Sequence, residues 1–368
     1  MMAYLDHNAT SPLRPAARDA MIAALAECGN PSSPHAAGRA ARARVEAARR
    51  TLALAFDCAL DSVIFTSGGT EANNLAVRGT GAATVLVSAV EHDSVREAER
   101  RAEVIPVDGN GIVDLEWLEA RLARGGVGLV SVMLANNETG VIQPIADVVR
   151  LAHAEGALVH TDATQAAGRI PLSFESLDVE LMTVSAHKLG GPPGVGALLV
   201  QEGFPLRPLL RGGRQEDGRR AGTENVPAIA GFAAAVEAAL ATADGTRALR
   251  DGLEARLLAS APGARILGAL VDRLPNTTCI AMPGVAAETQ VMALDLAGIA
   301  VSAGAACSSG KVRTSPVLAA MGVDAELARS AIRISLGWNS TADDVGRCAE
   351  AWWALWARTR GRKTVQAA

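Results

Sequence analysis

No apolar run in this 368-residue chain reaches the roughly 18 residues that a membrane-spanning helix needs, so no membrane span is expected. The opening residues, Met1-Met2-Ala3-Tyr4-Leu5-Asp6-His7, carry neither the basic stretch nor the apolar one of a secretory signal. Cysteine is sparse. The five residues Cys28, Cys58, Cys279, Cys307 and Cys348 are scattered, odd in number and never form Cys-x-x-Cys. That spacing argues against a disulfide framework and a zinc site, and for a reducing cytoplasm. Neither sign of charge predominates. The formal net charge is -4 and charged residues make up 20%, which suggests no surface for nucleic acid or acidic membrane lipid. The arginines of segment 39–50 alternate with Ala and Glu46, as on the solvated face of a helix. There is no internal repeat and no low-complexity tract beyond alanine-rich helical stretches.

What is present is hydrophobic residue, 49% of the chain. That suffices for one large α/β domain and a smaller one. Residues 1–15 read as an irregular arm, because Asp6-His7-Asn8-Ala9-Thr10-Ser11-Pro12 is turn chemistry without periodicity. A helix is expected at 15–27 and a second from Ser33 or Pro34 to about Phe56. Short β-rich runs follow at 63–66, 84–88, 104–107, 128–134, 157–161, 181–185 and 196–200. Helical stretches at 70–79, 93–102, 114–123 and 144–155 separate them. This βαβ alternation of nearly all-apolar strands predicts a mainly parallel sheet covered on both faces. Such sheets hold ligands at the carboxyl ends of their strands. A helical region at 224–260, broken near Asp244-Gly245, leads to a smaller α+β domain. Its strands are expected at 277–282, 299–302 and 332–335, and its helices at 286–297, 315–321 and 341–358. The division is therefore an arm at 1–15 packing with the small domain, a large domain at 16–245 and a small one at 246–368. Trp352, Trp353 and Trp356 of the last helix read as packing residues.

The residues with chemistry follow the strand runs. Ser185-Ala186-His187-Lys188 ends one of them and precedes a Gly/Pro-rich turn. Lys188 is either a solvated loop lysine or an amine that forms a Schiff base with a carbonyl cofactor. Thr66-Ser67-Gly68-Gly69-Thr70-Glu71 opens a helix without the Gly-Lys-Thr/Ser of a nucleotide loop. It is either an ordinary capped turn or a phosphate cradle of free N–H groups and the Thr70 hydroxyl. His92 in Glu91-His92-Asp93 caps, packs or stacks on a ring. Asn137 in Asn136-Asn137-Glu138 forms a turn or donates to a ring oxygen. Asp162, at the end of a buried strand, needs a partner, and a protonated pyridine nitrogen is one. Gln165 lies one helical turn further on. Jointly these residue types match what pyridoxal phosphate requires.

With these motifs in view, the chain resembles the class V aminotransferase group of pyridoxal-phosphate enzymes, and within it the cysteine desulfurases of the iron–sulfur assembly type. The marks are Asn30-Pro31-Ser32-Ser33-x-His35, Phe65 to Glu71, Glu91-His92, Asn136-Asn137-Glu138-x-Gly140, Asp162-Ala163-Thr164-Gln165, Ser185 to Lys188, Arg220-Ala221-Gly222-Thr223 and Ala306-Cys307. The resemblance implies the transferase fold of fold type I, aspartate aminotransferase-like, with a seven-stranded large-domain sheet. It implies that Lys188 carries the cofactor, that Gly69, Thr70, Ser185 and His187 hold its phosphate, and that Asp162 pairs with the pyridine nitrogen. Gln165 and Asn137 would contact the ring side and His92 would stack on the ring. Thr223 would reach the phosphate of a neighbouring subunit, which implies a homodimer with shared sites.

Cys307 sits in a loop of Ser, Ala and Gly, unlike a buried structural cysteine. The other four cysteines fall in helical or strand patterns and are expected to be inert. Arg333, mid-strand among apolar neighbours, is either a surface residue or the fork for a substrate carboxylate. The resemblance implies the second, with L-cysteine as substrate and Asn137 beside it. Lys188 then acts as base at Cα and His92 assists with protons. The Cys307 thiolate takes the substrate sulfur as a persulfide, alanine is released, and a protein acceptor of unknown identity receives the sulfur. An iron–sulfur contact at Cys307 is a further possibility the family raises. Segment 308–318 resembles the longer active-loop form of the family, and the tail from 358 is brief and polar. The rival readings are a selenocysteine lyase or another class V lyase or transaminase, and a protein that only carries persulfide.

Overall fold

The computed structural model describes residues 2–241, 245–303 and 315–366. The chain starts with β1 (Ala3–Tyr4), which lies parallel to residues Ile299–Ala300 far along the sequence. Helix α1 (Pro15–Leu25) takes proline at its first turn, where the missing N–H leaves no bond unmade. It stops short of the predicted 27 ahead of Gly29-Asn30-Pro31, so Cys28 lies exposed outside the helix rather than within it. Helix α2 (Ala36–Phe56) begins later than Ser33 because His35 is its cap, Nδ1 accepting from the Gly38 N–H at 3.2 Å.

The large sheet then builds through β2 (Val63–Thr66), α3 (Gly69–Gly79), β3 (Val85–Ser88), α4 (Asp93–Arg96), β4 (Glu103–Ile105) and α5 (Leu115–Leu122). It continues with β5 (Leu129–Ser131), α6 (Ile145–Ala154), β6 (Leu158–Asp162), α7 (Phe174–Leu177), β7 (Leu181–Ser185) and β8 (Gly196–Val200). The order across the seven strands is β2-β8-β7-β6-β5-β3-β4. Only β8 runs against its neighbours, so the other carboxyl ends share one edge. Every residue of β2, β3, β5, β7 and β8 is buried, the pattern of a sheet covered on both faces. Helix α4 ends at Arg96, not at 102. Beyond it only Ala98 is buried, and a short helix without a packed face does not hold.

Helices α8 (Val226–Ala241) and α9 (Thr246–Ser260) flank the predicted break, and α8 packs on α1 and α2. The second part holds β9 (Arg265–Ile266), β10 (Thr277–Ala281), α10 (Ala287–Leu296), β11 (Ile299–Ala300), β12 (Ser302–Ala303), α11 (Pro316–Ala320), α12 (Ala325–Arg329), β13 (Ala331–Ser335) and α13 (Ala342–Gln366). Its sheet has the order β12-β13-β10-β9. The single run expected at 299–302 is thus divided: β11 pairs with β1, whereas β12 pairs with β13. Trp352 is fully buried and donates to Gln290 Oε1 at 2.9 Å, but Trp353 is 51% exposed and does not pack as expected. Among the described residues no single helix is long and apolar enough to cross a membrane.

The arm joins the two parts. Ala3 and Leu5 belong to the apolar core built on β10, β13, α9 and α13. A few residues on, the Ser11 N–H donates to the His187 carbonyl at 2.7 Å and the Arg14 N–H to that of Gly190 at 2.8 Å.

Candidate active site

A cavity of about 390 Å³ opens where the parallel strands of the large sheet end. Gly69, Thr70, His92, Asn137 and Asp162 line it, and so do Gln165, Ser185, His187, Lys188 and Arg333. Thr223 is exposed and is not part of the lining. Cys307 lies outside the described residues.

One end of the cavity is formed by the start of α3. Gly68 has φ of +149° with open space at its missing side chain. A Cβ on Gly196, at the start of β8, would meet the Gly68 carbonyl carbon at 2.8 Å. Gly196 is therefore needed for β8 to pass the α3 turn this closely, and Gly68 for the positive φ of the turn itself. A Cβ at Gly69 falls 3.3 Å from the Thr164 hydroxyl and 3.8 Å from that of Ser185. Both hydroxyl oxygens are buried without a hydrogen-bond partner. Orphaned hydroxyls beside the positive end of an eleven-residue helix fit an anion such as a phosphate. Behind them the Glu71 carboxylate receives the Ser67 N–H at 2.8 Å and the Arg220 Nε at 2.8 Å.

Asp162, 6% exposed, receives the Thr164 N–H at 2.9 Å on Oδ1 and the Asn73 amide at 2.7 Å on Oδ2. Asn73 also donates to the Ser94 hydroxyl at 2.8 Å, and that oxygen is 2.8 Å from His92 Nδ1. The Ser94 N–H donates to the same nitrogen at 3.1 Å. Because Nδ1 accepts a backbone hydrogen, the neutral His92 ring carries its proton on Nε2. One hydrogen-bonded line thus runs from Asp162 to His92. Of the adjacent amides, Asn136 is the turn former, its Oδ1 receiving the N–H groups of Glu138 and Thr139 at 2.9 Å. Asn137 is the one that faces the cavity.

Lys188 Nζ donates to the carbonyls of Asn8 at 2.7 Å and Ala9 at 2.8 Å. Burial, with the Arg333 and Arg169 guanidinium groups, lowers its ammonium from 10.5 to about 8, against the opposing pull of Asp162 and Asp6. Burial, and then Lys188, lowers His187 to about 4, so that ring is neutral at pH 7. Arg333 is 4% exposed, not a surface residue. Its Nη2 donates to Asp6 Oδ1 at 2.7 Å and its Nη1 to the Asn137 carbonyl at 3.0 Å, while Nε is buried without a partner. Arg169 donates to the side-chain oxygen of Gln165. A guanidinium only donates, so the oxygen of that amide must face it, and Gln165 Nε2 turns the other way, to the Asn8 carbonyl at 3.1 Å.

Sequence reading did not find Asp6, Asn8, Asn73, Ser94, Thr164 or Arg169 as site residues. Asn73 had a signal: it lies three residues after Thr70 on a helix, hence on the same face. Asp6 and Asn8 had none, since the arm has no periodicity to assign its faces. Among the described residues no cluster of His, Cys, Asp and Glu could hold a metal ion.

The donor set fits pyridoxal phosphate: an anion cradle, a buried carboxylate, an amine with a lowered proton affinity and an arginine with an unpartnered nitrogen meet at one cavity. Residues 3–348 match the family described as aminotransferase class-V. A cysteine desulfurase of Cereibacter sphaeroides is 47% identical over 363 residues, covering 94% of each chain. The structure of a NifS-like protein from Rickettsia africae superposes with a TM-score of 0.90 at 37% identity, covering 97% of this chain and 100% of that one. A structure described as SspA in complex with cysteine gives 0.81 at 26% identity over 91% of this chain and 98% of that one. With its fold, its strand-end lysine and this similarity in agreement, the chain belongs to the class-V aminotransferase family.

Proposed function

We propose that the chain is a pyridoxal-phosphate-dependent cysteine desulfurase, converting L-cysteine to L-alanine and an enzyme-bound persulfide. The observation that carries the reading is the meeting of the orphaned Thr164 and Ser185 hydroxyls, Asp162, Lys188 and the open Nε of Arg333 on one cavity. Thr70, Ser185 and His187 would hold the phosphate with the N-terminus of α3. Asp162 would keep the pyridine nitrogen protonated, Gln165 and Asn137 would flank the ring, and His92 would stack on it. When bound, the cofactor supplies an electron sink for the charge that develops at the substrate Cα.

The rest is the work of the chain. Arg333 receives the substrate carboxylate through its open nitrogen. Lys188, as a free amine near pH 8, takes the Cα proton at Nζ. The Cys307 thiolate attacks the substrate sulfur: the carbon–sulfur bond breaks, a sulfur–sulfur bond forms on Cys307, and protonated carbon leaves as alanine. A cysteine bound in a structure of similar fold supports the choice of substrate. The reading includes a homodimer in which Thr223 serves the neighbouring site, a cytoplasmic location, and a protein acceptor that carries the sulfur to iron–sulfur assembly or thiolation.

The test measures alanine, and sulfide in the presence of a thiol reductant, from L-cysteine. Lys188→Ala and Cys307→Ser lose sulfide production, and Cys307→Ser keeps the visible cofactor band. Normal sulfide output from Cys307→Ser overturns the persulfide step. A colourless protein that gains no absorbance with added pyridoxal phosphate overturns the role of Lys188.

A further inference from the structure

Two guanidinium groups face Lys188, and they are not equivalent. Arg333 is neutralised by Asp6 at 2.7 Å. Arg169 has no carboxylate within ion-pair range among the described residues. All of its bonds go to neutral oxygens. Nη1 donates to the backbone and side-chain oxygens of Gln165, and Nη2 to the His7 carbonyl at 3.3 Å and the Lys188 carbonyl at 3.2 Å. Arg169 is half-buried between two cavities, and a guanidinium so placed normally finds a counter-ion, because even partial desolvation of an unpaired charge is costly. Here four neutral acceptors from three separate segments hold the cation in place without cancelling its charge.

We propose that Arg169 is a positioning residue for Lys188: a guanidinium left without a counter-carboxylate, tied to the lysine's own carbonyl, keeps the Nζ amine free to react. The proposal rests on the reading of Lys188 as the amine of the site. The other charged groups facing Lys188 are Asp162 at the end of β6, Asp6 on the arm, Arg333 on β13 and the neighbouring His187. Asp162 and Asp6 favour the ammonium. Asp6 is already bound to Arg333, and Asp162 to Asn73 and the Thr164 N–H. Arg333 is the stronger of the two cations on Lys188 but has Asp6 bound to it, whereas Arg169 acts on the amine with no anion bound to itself among the described residues. Burial, and then Arg333, lowers the Arg169 guanidinium from 12.5 to about 9, still above the value of about 8 at Lys188, so Arg169 holds its charge at the pH where the lysine loses its own.

The chain offers a direct measurement, because Lys188, Lys311 and Lys363 are its only lysines. Reductive methylation of the cofactor-free full chain with ¹³C-formaldehyde labels these and the amino terminus. Lys188→Arg assigns the signal, and its chemical shift is followed against pH. The parent is expected to titrate near pH 8. Arg169→Gln, which keeps a donor but removes the charge, is expected to raise the Lys188 midpoint by about one unit, roughly tenfold in proton affinity. Arg169→Lys, which restores a charge, is expected to return it towards the parent value. A midpoint in Arg169→Gln equal to the parent's overturns the proposal, as does a rise of the same size in Arg169→Lys. If Arg169→Gln does not fold, Arg169→Met, which also removes the charge, carries the same comparison with the parent and with Arg169→Lys. Failure here is separate from failure of the proposed reaction, since no cofactor or substrate enters the titration.

Discussion

Asp6 and Arg333, 327 residues apart in sequence, stand 2.7 Å apart at the edge of the cavity. Asp6 is itself held by the Ser302 hydroxyl at 2.8 Å. The carboxylate therefore fixes one end of the arginine fork and leaves Nε directed elsewhere. Asp6→Asn keeps the shape and removes the charge. It is expected to raise KM for L-cysteine about tenfold, with kcat changed much less, because a looser fork gives a poorer carboxylate site. Steady-state kinetics of alanine release tests this, and an unchanged KM refutes the role given to Asp6.

Asn73 bonds both Asp162 and Ser94, and Ser94 orients His92. Asn73→Ala cuts this line without touching any group proposed to react. The expected result is a fall in kcat on the order of tenfold, together with a shift in the pH dependence of the bound cofactor's absorbance. A variant with the parent's spectrum at every pH would show that the line has no electronic role.

Lys188 loses its proton at about pH 8 in the folded chain and near 10.5 when unfolded. Between those values the unfolded chain binds more protons, so stability rises with pH through that window. Below about 8 the penalty of the buried ammonium is constant. The cofactor-free Lys188→Met variant is expected to be more stable than the parent at pH 7, on the order of 2 kcal/mol. The difference should close as pH rises towards 10.5. Urea unfolding across this range measures it, and a difference independent of pH is the contrary outcome.

Glu91 behaves in the opposite sense. Burial, and then the nearby Asp162, raises its carboxyl from 4.5 to about 8. Here the folded chain binds the extra proton, so this contribution to stability is lost as pH rises from 4.5 to 8. Glu91→Gln has no such slope. It is expected to gain on the parent by about 1 kcal/mol per pH unit across that interval. Denaturation midpoints near pH 5 and pH 8 give the comparison, and equal differences at both would contradict the assignment of a neutral Glu91.

The seven large-sheet strands were legible because each is a short apolar run between turn residues, and β2, β7 and β8 match to the residue. The cavity residues from Gly69 to Lys188 were legible because strand ends are where such sheets place ligands. What escaped had other causes. The run at 299–302 reads as one strand, yet Val301 is where the chain passes from the partner of β1 to the partner of β13. Helix α4 stops early for lack of a buried face, which no local propensity records. Arg169 and Asp6 act on Lys188 and Arg333 across elements, and a single sequence carries no periodicity that joins them.

The two carbonyls that receive Lys188 Nζ belong to residues 8 and 9, and Asn8 bonds both parts of the chain, Asn137 and Gln165 in one and Thr277 and Ser335 in the other. Residues 8 and 9, made before the strands they join, are thus among the last to find their full set of partners. The large sheet can form during synthesis, but its amine-bearing edge waits unfinished until β10 and β13 have emerged and drawn the arm across. A chain interrupted between residues 200 and 332 would hold every strand of the large sheet but lack Arg333, and so have no completed pocket.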